Sequence, residues 1–429
     1  MYCVRSLRRA PVRVTLIDRR NFHLFQPLLY QVATGVLSPA NIAAPLRAIL
    51  KRNRNTRVIL GEVIDILPEE KKVKLLDGGI VPYDSLIVAA GSSHHYFGHE
   101  EWQRWAPGLK TVEDATEIRG RILMSFEAAE NEPDETRRRE LMRFLVIGGG
   151  PTGVEMAGAL AEIARHTLRG NFRHIDPAKA EIIVIEAADR ILGAYDADVS
   201  AKAQQALEEL GVRVLTRSMV KDVRPDAVLI ERNGNTEVLK ARTVIWSAGV
   251  KASRLGGILA ERTGAPLDKA GRVMVAPDLT VPGRRDIFVI GDLANLEGSD
   301  GKPLPGVAQV AMQQGKYVAR LIVASIRGRG HLPPFRYRDY GTMAVIGRRR
   351  AVAVIAGLKL SGYIAWLTWL FVHLMYIVQF SNRVLVFFQW AYGYLTHNRS
   401  ARLITNVGQQ QHAPIPAETR DHRQPAAGQ

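Results

Sequence analysis

Gly148-Gly149-Gly150-Pro151-Thr152-Gly153 is the run best suited to hold a cofactor. Glycines let a backbone close on a diphosphate, and a helix that starts there offers amide N–H groups and the positive end of its dipole. The flanking residues suit that use. Phe144 to Gly148 reads as a buried strand, and Val154 to His166 as a helix with Ala157, Leu160 and Ala161 on one face. Glu186 ends the next strand, Glu181 to Glu186, later than the usual spacing of about 20 residues. The insert Leu168 to Ala180 accounts for the delay. A carboxylate there accepts from both ribose hydroxyls and repels a 2′-phosphate, which favours NADH over NADPH. The plain alternative is a solvated carboxylate at a strand end. Gly148, Gly150, Gly153, Glu186 and Gly249 are therefore expected to bind a nucleotide.

An earlier stretch repeats the design. Pro11 to Asp18 is again an apolar strand ending in a carboxylate, and Ser85 to Gly91 matches Thr243 to Gly249. In the latter pair a buried strand runs into a small residue and then Gly, where a backbone must approach something closely. Asp18 is expected at the adenosine ribose of FAD, Val63 of Gly61-Glu62-Val63 at its adenine, and Ala90 and Gly91 at the matching close approach. Gly291-Asp292 follows the apolar strand that starts at Asp286, and a short carboxylate there can accept from a ribityl hydroxyl. Taken alone, Gly-Asp after a strand is a turn. A helix from about Val307 to Ile326 contains Ala308 in its first turn. Its N-terminus would favour the negative charge of a reduced flavin. Gln309 and Gln313 lie one turn apart on that helix. Their neutral amides can bond quinone carbonyls without a buried charge; the equal alternative is two surface glutamines.

Two nested Rossmann-like dinucleotide-binding domains in an α/β chain, followed by a C-terminal membrane-attachment region, would position these residues. The expected bounds are 1–110 with 265–345 for FAD, 111–264 for NADH, 346–405 for membrane anchoring and 406–429 for a disordered tail. Residues 99–140, polar and mostly helical, link the halves. Ser6 to Ala10 reads as a helix end. The second copy is complete. The first lacks its opening strand and glycine turn, which by analogy would stand before Met1. A misassigned start or a truncation is the expected reason.

The chain has 429 residues, enough for two or three cores. Its 58 Lys and Arg against 42 Asp and Glu give +16, which favours anionic partners. Zinc-ligand spacing and RNA-binding signatures are lacking, so phosphate cofactors and anionic lipid are expected and nucleic acid is not. A single cysteine, Cys3, excludes an intrachain disulfide and the redox-active Cys pair of a disulfide reductase. The chemistry calls for no metal.

Leu360 to Asn382 is 23 residues long and without Lys, Arg, Asp or Glu. That is enough to span a bilayer of about 30 Å. His373, Gln379, Ser381 and Asn382 dilute it, and basic residues flank both ends. Val384 to Leu395 continues with Leu385, Phe388, Tyr392 and Leu395 at helical spacing. A helix lying in the lipid interface is the preferred reading, ahead of a span and of a buried helix pair.

Asp18 with Asn21-Phe-His-Leu-Phe-Gln-Pro-Leu-Leu-Tyr-Gln-Val-Ala33, Gly148 to Glu155, Gly291-Asp292 and Ala308-Gln-Val-Ala-Met-Gln-Gln314 resembles the type II NADH dehydrogenases. These are single-subunit NADH:quinone reductases that pump no protons. The likeness runs from residue 10 to about 405. It implies hydride transfer from NADH to FAD and then two electrons to a membrane quinone. It implies that Gln309 and Gln313 line the quinone pocket, that Glu155 lies close to nicotinamide and flavin, and that Pro27 to Tyr30 pass near the isoalloxazine. It also implies peripheral attachment to the bilayer surface, expected on the cytoplasmic face of the cell membrane. A homodimer would tighten that attachment. The alternatives are an NADH-dependent reductase of a ferredoxin-like protein, against which the apolar segment counts, and a non-catalytic NAD-binding membrane protein.

Overall fold

The computed structural model describes residues 1–328, 332–396, 399 and 401–405. The expected disorder of the C-terminal tail lies outside the described residues. The first half contributes strands β1 (Val14–Asp18), β2 (Thr56–Leu60) and β3 (Leu86–Val88). The second contributes β4 (Arg143–Ile147), β5 (Glu181–Ile185), β6 (Val212–Leu215) and β7 (Thr243–Trp246). The chain then returns to the first half with β8 (Arg284–Val289).

In the second half the sheet is parallel, in the order β6-β5-β4-β7. Val146 sits between Val184 and Ile245. Strands covered on both faces read as unbroken apolar runs, and this explains Phe144-Leu-Val-Ile147 and Ile182-Ile-Val-Ile185. Alternation then sorts the residues. Phe144, Val146, Ile182 and Val184 join one core with Ile118, Phe126, Val154 and Leu160. Leu145, Ile147, Ile183 and Ile185 join another with Trp246, Trp102 and Val228. Each fully buried side chain of this size contributes about 1.5–3 kcal/mol.

The first half is built differently. Among the described residues β1 pairs only with β2, and β3 only with β8, in two separate sheets. β1 and β3 are the counterparts of β5 and β7, and among the described residues no strand stands between them to play the part of β4. Their burial reflects this: β1 is half-buried with Thr15 exposed, whereas β5 is buried along its length from Ile182. A short antiparallel pair, Ser92–His94 with Val250–Ala252, crosses between the halves.

Four helices frame the site. α1 (Tyr2–Ser6) ends at Ser6, earlier than the sequence indicates. α2 (Val112–Glu130) opens with a reciprocal cap: Asp114 N donates to Thr111 Oγ1 at 3.1 Å, and Thr111 N donates to Asp114 Oδ2 at 2.9 Å. α3 (Pro151–Glu162) follows β4 and passes into a π-helical turn at Ile163–Thr167. α4 (Ala308–Ile326) matches the expected helix closely.

The C-terminal region corrects one expectation. Strands β9 (Thr342–Gly347), β10 (Arg350–Ile355) and β11 (Leu358–Ser361) form an antiparallel sheet. The apolar run from Leu360 is not one segment. It begins in β11, forms α5 (Gly362–Tyr376), breaks at Ile377 to Gln379, and continues as α6 (Phe380–Thr396). Hydropathy carries no period that marks such a break. Among the described residues no helix is long and apolar enough to cross a membrane. The sheet packs on α3 at Gly158, where any Cβ would strike the Ile346 carbonyl.

Candidate functional site

The glycine turn after β4 divides its work. Gly148 has φ +104°, and a Cβ there would lie 2.8 Å from Ala248 N. A Cβ on Gly153 would strike the Gly148 carbonyl and come within 2.7 Å of Ser247 Oγ. These two glycines are dictated by packing against the strand that leads to Gly249. Gly150 differs, since nothing lies within 4 Å of where its Cβ would be. It is the N-cap of α3, and no side chain caps that terminus. The first amides of α3 are therefore open to an approaching diphosphate. Glu186 stands beside them. Its Oε2 accepts from Gly149 N at 2.6 Å and its Oε1 from Ala188 N at 2.8 Å. Each oxygen keeps a lone pair for a hydroxyl.

Glu155 lies in the first turns of α3 and faces the C-terminal region. Burial raises its carboxyl to about 8, and its one backbone partner, Val345 N, is 3.5 Å away. The indole N–H of Trp369 lies beside the carboxyl but makes no hydrogen bond of good geometry, and that nitrogen is buried. Glu155 itself is partly exposed. It is a carboxyl that keeps its proton at neutral pH where a ligand can reach it. Buried Tyr30, in the stretch after Pro27, is near enough for the Glu155 charge to raise its phenol further, after burial itself.

In the first half the expected residues gather into two groups. Asp18 Oδ1 accepts from Arg20 N at 2.9 Å, and its carbonyl accepts from Gly61 N at 2.9 Å, next to Glu62 and Val63. Ala90, Gly91, Gly291, Asp292 and Ala308 form the other group. Gly91 and Gly291 both have φ near +70°. Ala90 is exposed, and the N-terminus of α4 carries no side-chain cap. Among the described residues no strand joins the two groups, because β1 and β3 do not pair. The residues thus fit the two ends of an FAD, ribityl and adenosine, and include no glycine turn between them for its diphosphate.

Four residues were given no role in the sequence reading. Lys110 Nζ donates to Ser92 Oγ at 2.6 Å, and Ser92 Oγ donates to Asp292 Oδ2 at 2.9 Å. Burial lowers the Lys110 ammonium pKa, while Asp292 at 3.9 Å pulls the other way. Asp114 fixes Lys110 by accepting from its backbone N–H at 3.0 Å. Burial pushes Asp114 up, but bonds from His94 and the Lys110 and Thr111 amides outweigh it and hold the carboxyl low. The Thr-x-x-Asp capping pattern just after Lys110 was the available signal. Gln314, fully buried, accepts from Gly291 N through Oε1 at 2.7 Å.

Gln309 and Gln313 are on one face of α4 and both face the loop that precedes β9. Gln309 Nε2 donates to the Gly341 carbonyl at 3.0 Å. Gln313 Nε2 donates to the Arg338 carbonyl at 2.8 Å and its Oε1 accepts from Arg338 N at 3.0 Å. Their amides tie that loop down in this structure. Among the described residues no cluster of His, Cys, Asp and Glu is arranged to hold a metal.

Comparison with known proteins agrees with this geometry. Residues 1–315 match the pyridine nucleotide-disulphide oxidoreductase family and residues 340–397 the NDH2 C-terminal domain. The type II NADH:quinone oxidoreductase Ndh of Mycobacterium tuberculosis is 45% identical over 408 residues, covering 94% of this chain and 87% of that protein. The type II NADH:quinone oxidoreductase of Staphylococcus haemolyticus is 31% identical, covering 81% and 84%. The fold matches the structure of NDH2 from Plasmodium falciparum in complex with NADH, with TM-score 0.81 at 21% identity over 89% of this chain and 93% of that one.

Proposed function

We propose a division of labour among the residues above for this chain, which belongs to the type II NADH:quinone oxidoreductase family. It is an NADH:quinone oxidoreductase with FAD and NADH as cofactors and a quinone as electron acceptor. NADH rests on the second half. Its diphosphate meets the open amides at Gly150 and its adenosine ribose meets Glu186, which also repels a 2′-phosphate. FAD, when bound, accepts a hydride and passes on electrons in pairs. Asp292, held by Ser92 and Lys110, receives the ribityl chain. Gly91 and Gly291 let the backbone come close, Asp18 and Val63 hold the adenosine end, and the amides at Ala308 favour added negative charge on the ring.

Glu155 keeps a proton on its carboxyl between the nucleotide half and the C-terminal region. That supports a place near nicotinamide and flavin, with the proton available to a neighbouring oxygen. Gln309 and Gln313 are assigned to the quinone end, where the loop at 337–341 would exchange its bonds with a quinone carbonyl. The division assigns FAD to 1–110 and 265–345, NADH to 111–264 and attachment to 346–405.

Attachment to a bilayer surface is supported by the outer faces of α5 and α6. Ile364, Phe371, Phe380, Phe388 and Leu395 are between 64% and 77% exposed. Five large apolar side chains so exposed on two successive helices are unusual on a soluble face. The cytoplasmic face is the proposed side, and a homodimer would double the anchoring area.

The observation that carries the nucleotide assignment is the open amide terminus at Gly150 with Glu186 beside it. Equilibrium titration of the protein with NADH and NADPH tests it. Binding of NADH at least tenfold tighter is expected, and equal binding overturns the assignment of Glu186.

A further inference from the structure

From Tyr340 to Ala417 the sequence holds seven Lys and Arg and no Asp or Glu. Two of the seven, Arg348 and Arg349, occupy the turn between β9 and β10. Both guanidinium groups ride on one aromatic ring. Arg348 is 3.9 Å and Arg349 5.4 Å from the centre of Tyr394. Arg349 Nε donates to Tyr394 Oη at 2.6 Å, and its guanidinium is 6.0 Å from the centre of Tyr363. Tyr363 stacks on Trp366 at 5.7 Å, and Trp366 tilts against Tyr394 at 5.5 Å. One aromatic cluster thus ties the turn to the start of α5 and the end of α6.

Two like charges held over one ring raise the positive potential there, which favours an anion. Arg350 turns away to Glu209 at 3.2 Å. Among the described residues Arg349 has no carboxylate within ion-pair distance. Planar guanidiniums held side by side match a phosphate better than ammonium groups would. The neighbours of Tyr394 decide what carries that phosphate. Tyr392 is 56% and Leu395 77% exposed, within a helical turn of it. At the other end of the same apolar face Arg383 donates through Nε to the Ile377 carbonyl at 2.7 Å and adds a third cation to the rim.

We infer that Arg348 and Arg349, stacked on Tyr394, form a headgroup site for an anionic phospholipid, with the acyl chains lying along the exposed face of α6. This rests on the surface-attachment reading and adds lipid selectivity to it. A lipid presents phosphate and hydrocarbon side by side, as the site does, whereas free phosphate would use only half of it.

The test is partition of the flavin-loaded protein onto two kinds of vesicle, phosphatidylcholine alone and phosphatidylcholine with about one-third phosphatidylglycerol. Tighter binding to the second kind, fading as salt rises, is expected. The double variant R348A/R349A is expected to weaken binding to the anionic vesicles about thirtyfold and to leave the neutral ones unchanged. R348K/R349K keeps the charge but loses the planar stack, and is expected to recover only part of the preference. Turnover with a water-soluble quinone checks that both variants are folded. A Lys variant equal to the parent would overturn the built site, and so would an Ala variant that keeps the preference. Equal binding of the parent to both vesicles would overturn the selectivity while leaving surface attachment intact. Binding to neither kind would overturn both. Binding of inorganic phosphate at Arg348 and Arg349 with no vesicle preference would overturn the lipid assignment.

Discussion

The two nucleotide-binding halves share one plan and differ in one element. In the second half β4 stands between β5 and β7, with both neighbours buried against it. In the first half β1 and β3 have no strand between them among the described residues, and β1 is only half-buried. The terminal carboxylates, the small-residue approaches and the uncapped helix N-termini are nevertheless present in both. The residues assigned above to ligand selection sit at strand ends and helix starts, while the central strand supplies burial and leads into the glycine turn. The two functions are separable, and variants in each half should separate them.

The largest effect is expected from Gly153→Val. Its side chain would strike Gly148 and Ser247 and push α3 off the turn. A fall of about a thousandfold or more in kcat/KM for NADH is expected, with flavin content unchanged. Flavin lost along with NADH binding would show that the halves are not separable.

Glu186→Ser comes next. Removing the charge should raise kcat/KM for NADPH relative to NADH roughly a hundredfold. A fixed ratio measured on both nucleotides would place ribose recognition elsewhere.

Glu155→Gln should leave nucleotide and flavin binding intact and slow turnover about tenfold, with the limb of the pH profile near 8 removed. It also has a stability signature. The folded carboxyl is raised from 4.5 to about 8, so between those values the folded chain holds a proton that the unfolded chain has released. Stability therefore falls as pH rises through that window. The variant escapes this cost, and at pH 8 it should exceed the parent by about 1–3 kcal/mol in denaturant unfolding, with the gap closing towards pH 4. A pH-independent gap would mean that Glu155 titrates normally.

The smallest effect is expected in the first half. Gln314→Ala leaves Gly291 N without its acceptor, at about 1–2 kcal/mol, and should weaken FAD retention a fewfold while NADH affinity holds. A variant that lost NADH instead would contradict the division between the halves.

These expectations depend on what the sequence could and could not reveal. The glycine turn was readable because its strand, turn and helix are adjacent in the chain, and Gly148, Gly150 and Gly153 take the predicted positions. α4 was readable from its hydrophobic period. Lys110 and Ser92 were not, because Asp292 meets them across a separation of about 200 residues that no local pattern encodes. The split of the apolar run into α5 and α6 was hidden for a different reason. α5 is apolar nearly all round and the run continues uncharged into the start of α6, so hydropathy could not mark the break at Ile377. The pairing of Gln309 and Gln313 with the loop at 337–341 is likewise tertiary, and spacing alone left it open.

The most direct test of the whole account is an anaerobic absorbance titration of the flavin-loaded protein, first with NADH and then with a quinone. Loss of the flavin band at one NADH per flavin, and its return on adding quinone, is the predicted result. A bound flavin that NADH leaves oxidised, or that quinone fails to reoxidise, would contradict it.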